Sequence, residues 1–365
     1  MNVDNKTILI LTAKFGAGHT SAAKAIKEAI LCIDNNYNVI IQDFIDASLP
    51  ILNKPMIKMY ETHTKYAPVF YNYYYYLRKS FDPKLDISNK IYTPRLIKYI
   101  LKVNPTLIIS TFPLASACIY NFKTKYPKMN IPTITVITDV VDSLEWVFPS
   151  TDTYFVPSIE IKNRFMQKGI HPDKIKVVGV PVSKSFHNLQ KEISNKYRIL
   201  LLGGGRGLFD FSTDFLYWLD DFINENMEIC IVTGKNRNLY YTLTKKKPLK
   251  NIKVLGFVDD MPNLIKKYDL LITKPGGATL FEAIHTTTPV IVKSPYIGQE
   301  IENARFIIDK GLGIIYNDEN DLKNILKSII NKKLDSIIDF MKNNMLEFKK
   351  TIDYKNLSTY ILDKV

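Results

Sequence analysis

Short apolar runs alternate with segments of helical periodicity along the first half of the chain. The segment HTSAAKAIKEAIL carries Ala and Ile at helical spacing, and residues 50–102 are mostly helical in pattern. The apolar runs are KTILILTA, NVIIQDF, PTLIIST, IPTITVITD, TYFVPS and KIKVVGVPV. Runs of this length predict buried strands, and their alternation with helices is typical of parallel βαβ units.

The same alternation starts again after a polar stretch, PVSKSFHNLQKEISNK, which we interpret as a linker. The later apolar runs are YRILLLGGG, MEICIVTG, NIKVLGFV, LLITKPGG and TPVIVKSP. The pattern predicts an α/β protein with two doubly wound, Rossmann-like domains that face a shared cleft. Ligands of such sheets bind at the carboxyl ends of the strands, so we expect the active site in that cleft.

The length of 365 residues also favours two domains, because one hydrophobic core rarely serves so long a chain. We predict a first domain over residues 1–182, a linker over 183–196 and a second domain over 197–345. Residues 346–365 are expected to form a C-terminal helix that packs back on the first domain.

Composition predicts a cytoplasmic protein that does not cross a membrane. Its three cysteines, Cys32, Cys118 and Cys230, lie far apart and form no metal-binding or redox spacing. The N-terminal apolar run is too short for a signal peptide, and no run approaches the roughly 20 apolar residues of a spanning helix. We therefore expect no metal ion and no other cofactor.

Positive charge is concentrated in residues 54–102, where ten lysines and arginines face three acidic residues, a net of +7 within a total of +13. This segment contains KYAPVFYNYYYYLRKSF. Aromatic rings flanked by cations are typical of an element that lies on an anionic membrane surface, which would make the protein peripheral to the inner face of the cell membrane. The predicted contact residues are Tyr71, Tyr74, Tyr75, Arg78 and Lys79. A core helix or a solvated basic face are the alternatives, and no nucleic-acid fold supports stacking on bases.

A glycine loop, FGAGH, follows the first strand and contains Gly16, Gly18 and His19. A histidine at this strand end suits a general base, because its ordinary pKa lies close to neutral pH. A polar residue that only shapes a pocket is the alternative for His19. Asp139 ends another strand of the same sheet, and it is either the rival base or the group that orients His19.

Glycine turns also follow two strands of the second domain. Gly204 and Gly205 lie in LLGGGRGLFD, and Gly276 and Gly277 open the helix of LLITKPGGATLFEAI. Such turns let backbone N–H groups approach a diphosphate. Thr279 and Glu282 of the second turn share a helix face, and the Glu282 carboxylate could accept both ribose hydroxyls. Turns without a ligand and a carboxylate that caps the helix remain the alternatives.

The segment SPYIGQEIENARFI repeats this layout one strand later. Gln299, Glu300 and Asn303 gather near the start of its helix, and amides with a carboxylate suit the hydroxyls of a sugar. Together the three strand ends predict a nucleotide-sugar site.

The motifs FGAGH, GFVDDMPNLIKKYDLLITKPGGATLFEA and GQEIENA resemble the glycosyltransferases that build glycosyl-diacylglycerols. This family comprises the processive diacylglycerol glucosyltransferases and the monogalactosyldiacylglycerol synthases, and it is related to the peptidoglycan N-acetylglucosaminyltransferase. The resemblance covers nearly the whole chain. It implies a GT-B fold and an inverting, metal-independent transfer from UDP-glucose or UDP-galactose to diacylglycerol or a glycosyl-diacylglycerol.

The same resemblance implies that Gly277, Thr279 and Glu282 bind the diphosphate and ribose, and that Gly204 and Gly205 lie beside the phosphates. The donor sugar falls on Gln299, Glu300 and Asn303, and the uracil ring on Phe257 and Val258. Trp146 falls on the acceptor side of the first domain.

Two positions depart from the family pattern. Ser143 stands where relatives commonly have His, and Ser183 stands where they usually have Arg, with Lys184 as its substitute. The departures leave three alternatives open: another lipid-linked acceptor such as a polyprenyl-linked sugar, a UDP-sugar-binding regulator, and a nucleotide-sugar epimerase of the same fold.

Overall fold

The computed structural model describes residues 6–14, 17–50, 89–187, 189–192, 194–204, 207, 211–295 and 298–365. The chain divides into two compact units. Unit 1 comprises Met1–Lys184, Tyr296–Gln299 and Thr351–Val365, and unit 2 comprises Ser185–Pro295 and Glu300–Lys350.

The strands of unit 1 form one parallel sheet. They are β1 Thr7–Thr12, β2 Asn38–Asp43, β3 Leu107–Ser110, β4 Thr133–Val136, β5 Thr153–Val156 and β6 Ile175–Val177. Among the described residues of this part of the chain, the α-helices are α1 Gly18–Leu31, α2 Phe44–Ser48, α3 Asn89–Val103, α4 Pro113–Lys125 and α5 Ile159–Gln167. The order across the sheet is β2-β1-β3-β4-β5-β6. Sequence order therefore reverses beside β1, and this is where α1 begins.

Strand β1 is buried on both faces, which explains its continuous apolar run. Ile8 and Ile10 belong to one core cluster, whereas Leu9 and Leu11 belong to a second cluster on the opposite face. A parallel sheet that is covered by helices on both sides produces this pattern instead of polar–apolar alternation.

The second half of the chain forms another parallel sheet. Its strands are β7 Tyr197–Leu202, β8 Met227–Val232, β9 Lys253–Leu255, β10 Leu270–Thr273, β11 Val290–Lys293 and β12 Gly313–Tyr316. The helices are α6 Thr213–Phe222, α7 Arg237–Tyr241, α8 Met261–Ile265, α9 Gly277–His285, α10 Gly298–Asp309, α11 Glu319–Ile330 and α12 Asp335–Lys350. The order is β12-β11-β10-β7-β8-β9, so the reversal lies between β7 and β10.

Both sheets confirm the predicted pair of doubly wound, Rossmann-like domains. One strand, β12, was not predicted, because it is short and three of its four residues are only partly buried. The glycine turns of Gly204 and Gly276 follow β7 and β10, the two strands at the reversal. Ligands of doubly wound sheets bind at this point.

The second half of the predicted linker, residues 183–196, is bound to unit 2. The Lys191 ammonium donates to the carbonyl oxygens of Ile265 (3.2 Å) and Tyr268 (2.6 Å) and to the Thr288 hydroxyl. Burial lowers the pKa of Lys191 to about 8. Residue 191 is therefore a fixed part of unit 2, although the local sequence is polar.

The end of the chain belongs to unit 1. Helix α12 ends at Lys350, and a separate helix, α13 Leu357–Leu362, follows. Leu357 and Ile361 join the core cluster of Ile8 and Ile10, and the Asp353 N–H donates to the Val177 carbonyl oxygen (2.8 Å). Across the described ranges, no helix combines the length and the apolar character that crossing a bilayer requires.

Candidate active site

His19 is the second residue of α1, directly beyond the carboxyl end of β1. Two hydroxyls hold this helix start in place. Thr20 Oγ1 donates to the Ala13 carbonyl oxygen (3.3 Å), and Thr111 Oγ1 donates to the carbonyl oxygen of His19 itself (3.3 Å). Thr111 follows β3, the neighbour of β1. The backbone of His19 is therefore fixed to the two strands at the reversal of unit 1.

The His19 imidazole is held by a hydrogen bond with Thr138, a hydrogen bond with the Thr111 backbone and two aromatic contacts. Its Nδ1 lies 2.8 Å from Thr138 Oγ1. The Phe112 ring stands edge-on at a centroid distance of 5.3 Å, and the Trp146 ring lies at 6.4 Å. These contacts leave Nε2 as the ring nitrogen that is not engaged by Thr138. Sequence reasoning missed Thr138, Thr111 and Phe112, because nothing in the local pattern marks a residue that closes on His19 from another strand.

Burial keeps the His19 ring neutral. Loss of solvation lowers the pKa of His19, whereas the Asp139 charge and a hydrogen bond with Thr111 oppose that shift. Asp139 is partly exposed beyond the end of β4. Thr138 and the Thr111 backbone thus hydrogen-bond the His19 ring, and Asp139 acts on the ring through its charge. A neutral imidazole can accept a proton.

Trp146 and Ser143 are both buried in the short 3₁₀ turn Leu144–Trp146 that follows Asp139. The Ser143 hydroxyl caps this turn by accepting from the Glu145 N–H (3.3 Å). The serine that departs from the family pattern therefore fixes the turn that carries Trp146 against His19. Ser183 is partly buried and Lys184 is exposed.

In unit 2, the glycine turn after β7 is sterically constrained. Gly204 and Gly207 have φ of +68° and +63°, and the Gly207 N–H donates to the Gly204 carbonyl oxygen (2.9 Å). A Cβ on Gly207 would lie 1.6 Å from the Thr233 carbonyl oxygen. Asn236 Nδ2 donates to the Gly207 carbonyl oxygen (3.1 Å). Gly207 and Asn236, which sequence reasoning missed, therefore fasten this turn to the end of β8.

Helix α9 begins at Gly277 without a side-chain cap and without an acidic residue in its first turn. Gly276 precedes it in extended conformation, and a Cβ placed there would meet nothing within 4 Å. A helix start of this kind presents backbone N–H groups and a partial positive charge, which suit a phosphate. Thr279, like Gly276, is partly exposed at this end of the helix.

Glu282 lies one turn further along α9, and burial raises its pKa to about 8. Among the described residues, no cation offsets this shift. The carboxyl group therefore carries a proton in much of the free protein at neutral pH, and hydrogen-bond donors from a ligand would stabilise its ionised form.

Asn303 is completely buried on α10, and its Nδ2 donates to the Pro275 carbonyl oxygen (2.9 Å). This bond ties α10 to the loop that precedes α9. Gln299 and Glu300 lie in the first turn of α10 and are partly exposed.

Phe257 follows β9 and is 54% exposed, whereas Val258 beside it is partly buried. The Lys235 ammonium lies 5.5 Å from the centroid of the Phe257 ring. An exposed ring with a cation over it offers a flat surface for a nucleobase. Phe257 is therefore not a core residue.

Several predicted residues lie outside the described part of the chain, namely Gly16, Gly205, Tyr71, Tyr74, Tyr75, Arg78 and Lys79. The site roles given above for the described residues stay predictions. Over the described ranges, no three His, Cys, Asp or Glu side chains converge as a metal-binding group.

Two family models match consecutive parts of the chain. The monogalactosyldiacylglycerol (MGDG) synthase model matches residues 19–182, and the glycosyltransferase family 28 C-terminal domain model matches residues 198–355. A processive diacylglycerol β-glucosyltransferase of Bacillus pumilus is 32% identical over 376 residues, covering 99% of this chain and 94% of the relative. The enzyme of the same name from Staphylococcus epidermidis is 30% identical and covers 100% of this chain and 94% of the relative.

Solved structures with low identity share the fold. Staphylococcus aureus MnaA with UDP has a TM-score of 0.63 and 14% identity, covering 98% of this chain and 95% of that chain. Acinetobacter baumannii MurG has a TM-score of 0.58 and 14% identity, covering 98% of each chain. A UDP-GlcNAc 2-epimerase of Neisseria meningitidis has a TM-score of 0.59 and 14% identity, with the same coverage.

The GT-B fold is therefore confirmed, and it is shared with epimerases, so that fold alone does not separate the two activities. The relatives of 30% identity or more do separate them, and the alternatives of a regulator and an epimerase are not favoured. On this full-length similarity, the chain belongs to the glycosyltransferase family of the processive diacylglycerol β-glucosyltransferases and monogalactosyldiacylglycerol synthases.

Proposed function

We propose that the protein transfers a hexose from UDP-glucose or UDP-galactose to diacylglycerol or a glycosyl-diacylglycerol, with inversion at the anomeric carbon. The observation that carries this proposal is the full-length identity of 32% to a processive diacylglycerol β-glucosyltransferase. The names of such relatives specify a β-glucosyl product. Because UDP-glucose holds its glucose in α linkage, a β product requires one inversion.

The neutral His19 supports a role as general base. In the proposed step, the acceptor hydroxyl oxygen bonds to the anomeric carbon while its proton passes to the His19 ring. The bond from that carbon to the diphosphate oxygen breaks, and UDP leaves with the electron pair. General bases of this kind contribute about 10²–10⁴-fold to a rate.

The start of α9 and the glycine turn after β7 support a donor site that works without a metal ion. Negative charge develops on the diphosphate as the sugar departs, and fixed N–H groups stabilise such charge without reorganisation. The first turn of α9, with Gly277 and Thr279, would supply these groups, Glu282 would accept the ribose hydroxyls, and Phe257 would stack on uracil. The Gly276 N–H already donates to the Lys274 carbonyl oxygen (2.8 Å), so Gly276 would instead leave room for the diphosphate. Gln299 and Glu300 would serve the sugar end of the donor, and the buried Asn303 would hold α10 in place through its bond to the Pro275 carbonyl oxygen.

Helix α3 supports action at an anionic membrane surface. It buries Leu96, Ile97 and Ile100 and exposes cations and apolar side chains on its other side. Among the described side chains of α3, the exposed residues are Ile91, Pro94, Arg95, Lys98, Leu101 and Lys102. A cation near an anionic lipid surface contributes about 1 kcal/mol, so three of them aid peripheral binding at the inner face of the cell membrane.

The direct test is a transfer assay with the purified full-length protein and vesicles that contain diacylglycerol and an anionic phospholipid. UDP-glucose, UDP-galactose and UDP-N-acetylglucosamine are offered separately. Mass spectrometry identifies the lipid product, and the anomeric proton coupling in its NMR spectrum reports the configuration. We expect a β-hexosyl lipid from one of the first two donors, with activity retained in EDTA.

Three results would contradict parts of this proposal. UDP-sugar binding without any glycolipid would exclude the diacylglycerol acceptor, and release of an epimerised sugar would indicate an epimerase. Loss of transfer in EDTA, restored by a divalent cation, would exclude the metal-independent step.

For the membrane contact, Arg95, Lys98 and Lys102 are changed together to Gln, and flotation with anionic vesicles is compared with flotation with neutral ones.

A further inference from the structure

We propose that Thr138 is the positioning residue of the reaction: its hydroxyl accepts a hydrogen bond from His19 Nδ1–H and thereby leaves the lone pair on Nε2 to take the acceptor proton. The inference rests on the proposed role of His19 as base. It assigns the orientation of the His19 ring to the neutral hydroxyl of Thr138. From the sequence pattern, the Asp139 carboxylate was the candidate for this role.

The Thr138 hydroxyl is rigidly placed. The side chain is 1% exposed, and the backbone just before it is tied to the sheet by a bond from the Ile137 N–H to the Phe155 carbonyl oxygen (2.9 Å). A β-branched side chain has few rotamers, so Oγ1 has little freedom to leave His19. The 2.8 Å separation from Nδ1 is an ordinary hydrogen-bond length.

The direction of this hydrogen bond decides whether His19 can act as a base. If the hydroxyl donates to Nδ1, the proton of the neutral ring lies on Nε2, and the ring has no lone pair for the acceptor. If Nδ1–H donates to the hydroxyl oxygen, the Nε2 lone pair is available. Once the ring has gained a proton, both nitrogens are donors. Only the second arrangement therefore persists through proton transfer without rotation of the hydroxyl.

Thr138 and Asp139 then have separate roles, both of which one carboxylate performs in a Ser-His-Asp triad. Thr138 aims the ring and selects its tautomer. Asp139 supplies negative charge, which favours the protonated ring after transfer. Phe112 and Trp146 limit rotation of the ring on its other sides.

The experiment is ¹⁵N NMR of the full-length protein labelled at histidine, which has five histidines. His19→Gln assigns the His19 signals by their loss. Ring nitrogen shifts and their couplings to the carbon-bound protons distinguish the Nδ1–H from the Nε2–H tautomer. We expect Nδ1–H in the wild type, the same in Thr138→Ser, and a shift towards Nε2–H in Thr138→Val, which keeps the shape but removes the hydroxyl.

Kinetics give an independent measure. Thr138→Val is expected to lower kcat by about 10- to 100-fold, because a misdirected catalytic group typically costs that much, with KM for the UDP-sugar unchanged. Thr138→Ser should retain most of the activity. A merely structural role for Thr138 would lower the melting temperature without moving the tautomer signals.

An Nε2–H tautomer in the wild type, or signals in Thr138→Val that equal those of the wild type, would overturn the inference. Equal losses of kcat in Thr138→Ser and Thr138→Val would do so as well, since the hydroxyl would not be the cause. Failure of the base assignment looks different: His19→Gln would then transfer sugar at the wild-type rate, whatever tautomer the wild type shows. The wild-type spectrum alone decides the tautomer if Thr138→Val does not fold.

Discussion

The candidate sites of the two units are built from different parts of the chain. In unit 1, the site is made of side chains: a ring on α1 that is held by a hydroxyl and two aromatic rings. In unit 2, it is made mainly of backbone: two glycine turns and an uncapped helix start. Side chains suit proton transfer to a defined atom, whereas backbone N–H groups suit a diphosphate whose charge is spread over several oxygens.

The two sites share one electrostatic property. Burial lowers the pKa of His19 and raises the pKa of Glu282, so the same cause drives both groups towards their neutral forms. Each group can then change its charge state when a ligand arrives. The two sites therefore differ in their composition, with side chains in unit 1 and mainly backbone groups in unit 2. Single substitutions in each unit test this difference.

The largest effect is expected from His19→Gln. If the site of unit 1 depends on this one side chain, kcat should fall by about 10²–10⁴-fold, because the base is lost, while UDP binding stays intact. Glycolipid formation and calorimetric titration with UDP measure the two quantities. His171→Gln, an exposed histidine of the same unit, is the control. Wild-type turnover by His19→Gln would exclude His19 as the base and leave Asp139 as the candidate in unit 1.

The second effect concerns the backbone of unit 2. Gly207→Ala should lower the free energy of unfolding by roughly 2–5 kcal/mol, because positive φ and a collision with the Thr233 carbonyl act together. Gly204→Ala is the matched variant, since its φ is also positive but its Cβ has open space. It should cost only about 1–2 kcal/mol. Urea denaturation measures both, and equal losses would show that the close approach at Gly207 is unimportant.

A third prediction uses the raised pKa of Glu282. The folded protein holds this proton up to a pH of about 8, whereas the unfolded chain releases it near pH 4.5. Between these values the native state binds more protons, so its contribution to the free energy of unfolding decreases as pH rises. Glu282→Gln should abolish that decrease, and the variant should therefore be more stable than the wild type above pH 8. Urea denaturation of both proteins between pH 4.5 and about 8 measures the free energy of unfolding.

Glu282→Gln should also weaken UDP binding by about tenfold, because a hydrogen bond to a charged group contributes about 1.5–3 kcal/mol. Wild-type affinity for UDP should rise between pH 7 and about 8.5 as the carboxyl ionises, and the variant should lack this rise. Glu225→Gln, an exposed acid of the same unit, is the control. A pH-independent affinity in the wild type would contradict the role of Glu282 in binding ribose.

The smallest effect is expected from Phe257→Ala, which tests whether any side chain besides Glu282 matters for the donor. Loss of stacking on a base costs about 1–3 kcal/mol, and one partly exposed ring belongs at the lower end, roughly a fivefold loss of UDP affinity. Tyr241→Ala removes another exposed ring of unit 2 and should leave affinity unchanged. Equal affinities for both variants would argue that uracil does not stack on Phe257.

Much of the fold could be predicted from local patterns. Buried parallel strands are continuous apolar runs, as in β1 and β7, so their number and order along the chain are readable. Strand β12 was missed because it is short and three of its four residues are only partly buried. The attachment of Lys191 to unit 2 was missed because its partners, two backbone carbonyls and the Thr288 hydroxyl, lie far along the chain.

The sequence by itself determined two doubly wound domains, the family, and the strand ends at which His19, Gly204 and Gly277 lie. These follow from local periodicity and from motifs that are contiguous in the chain. Only the tertiary structure decided that Thr138 hydrogen-bonds the His19 ring, and that Gly207 is the constrained glycine beside Gly204. Both depend on residues from separate strands meeting at one sheet edge, and His19 and Thr138 are 119 positions apart in the chain. Local sequence patterns do not predict such a contact, because residues distant in the chain become neighbours only when the sheet forms.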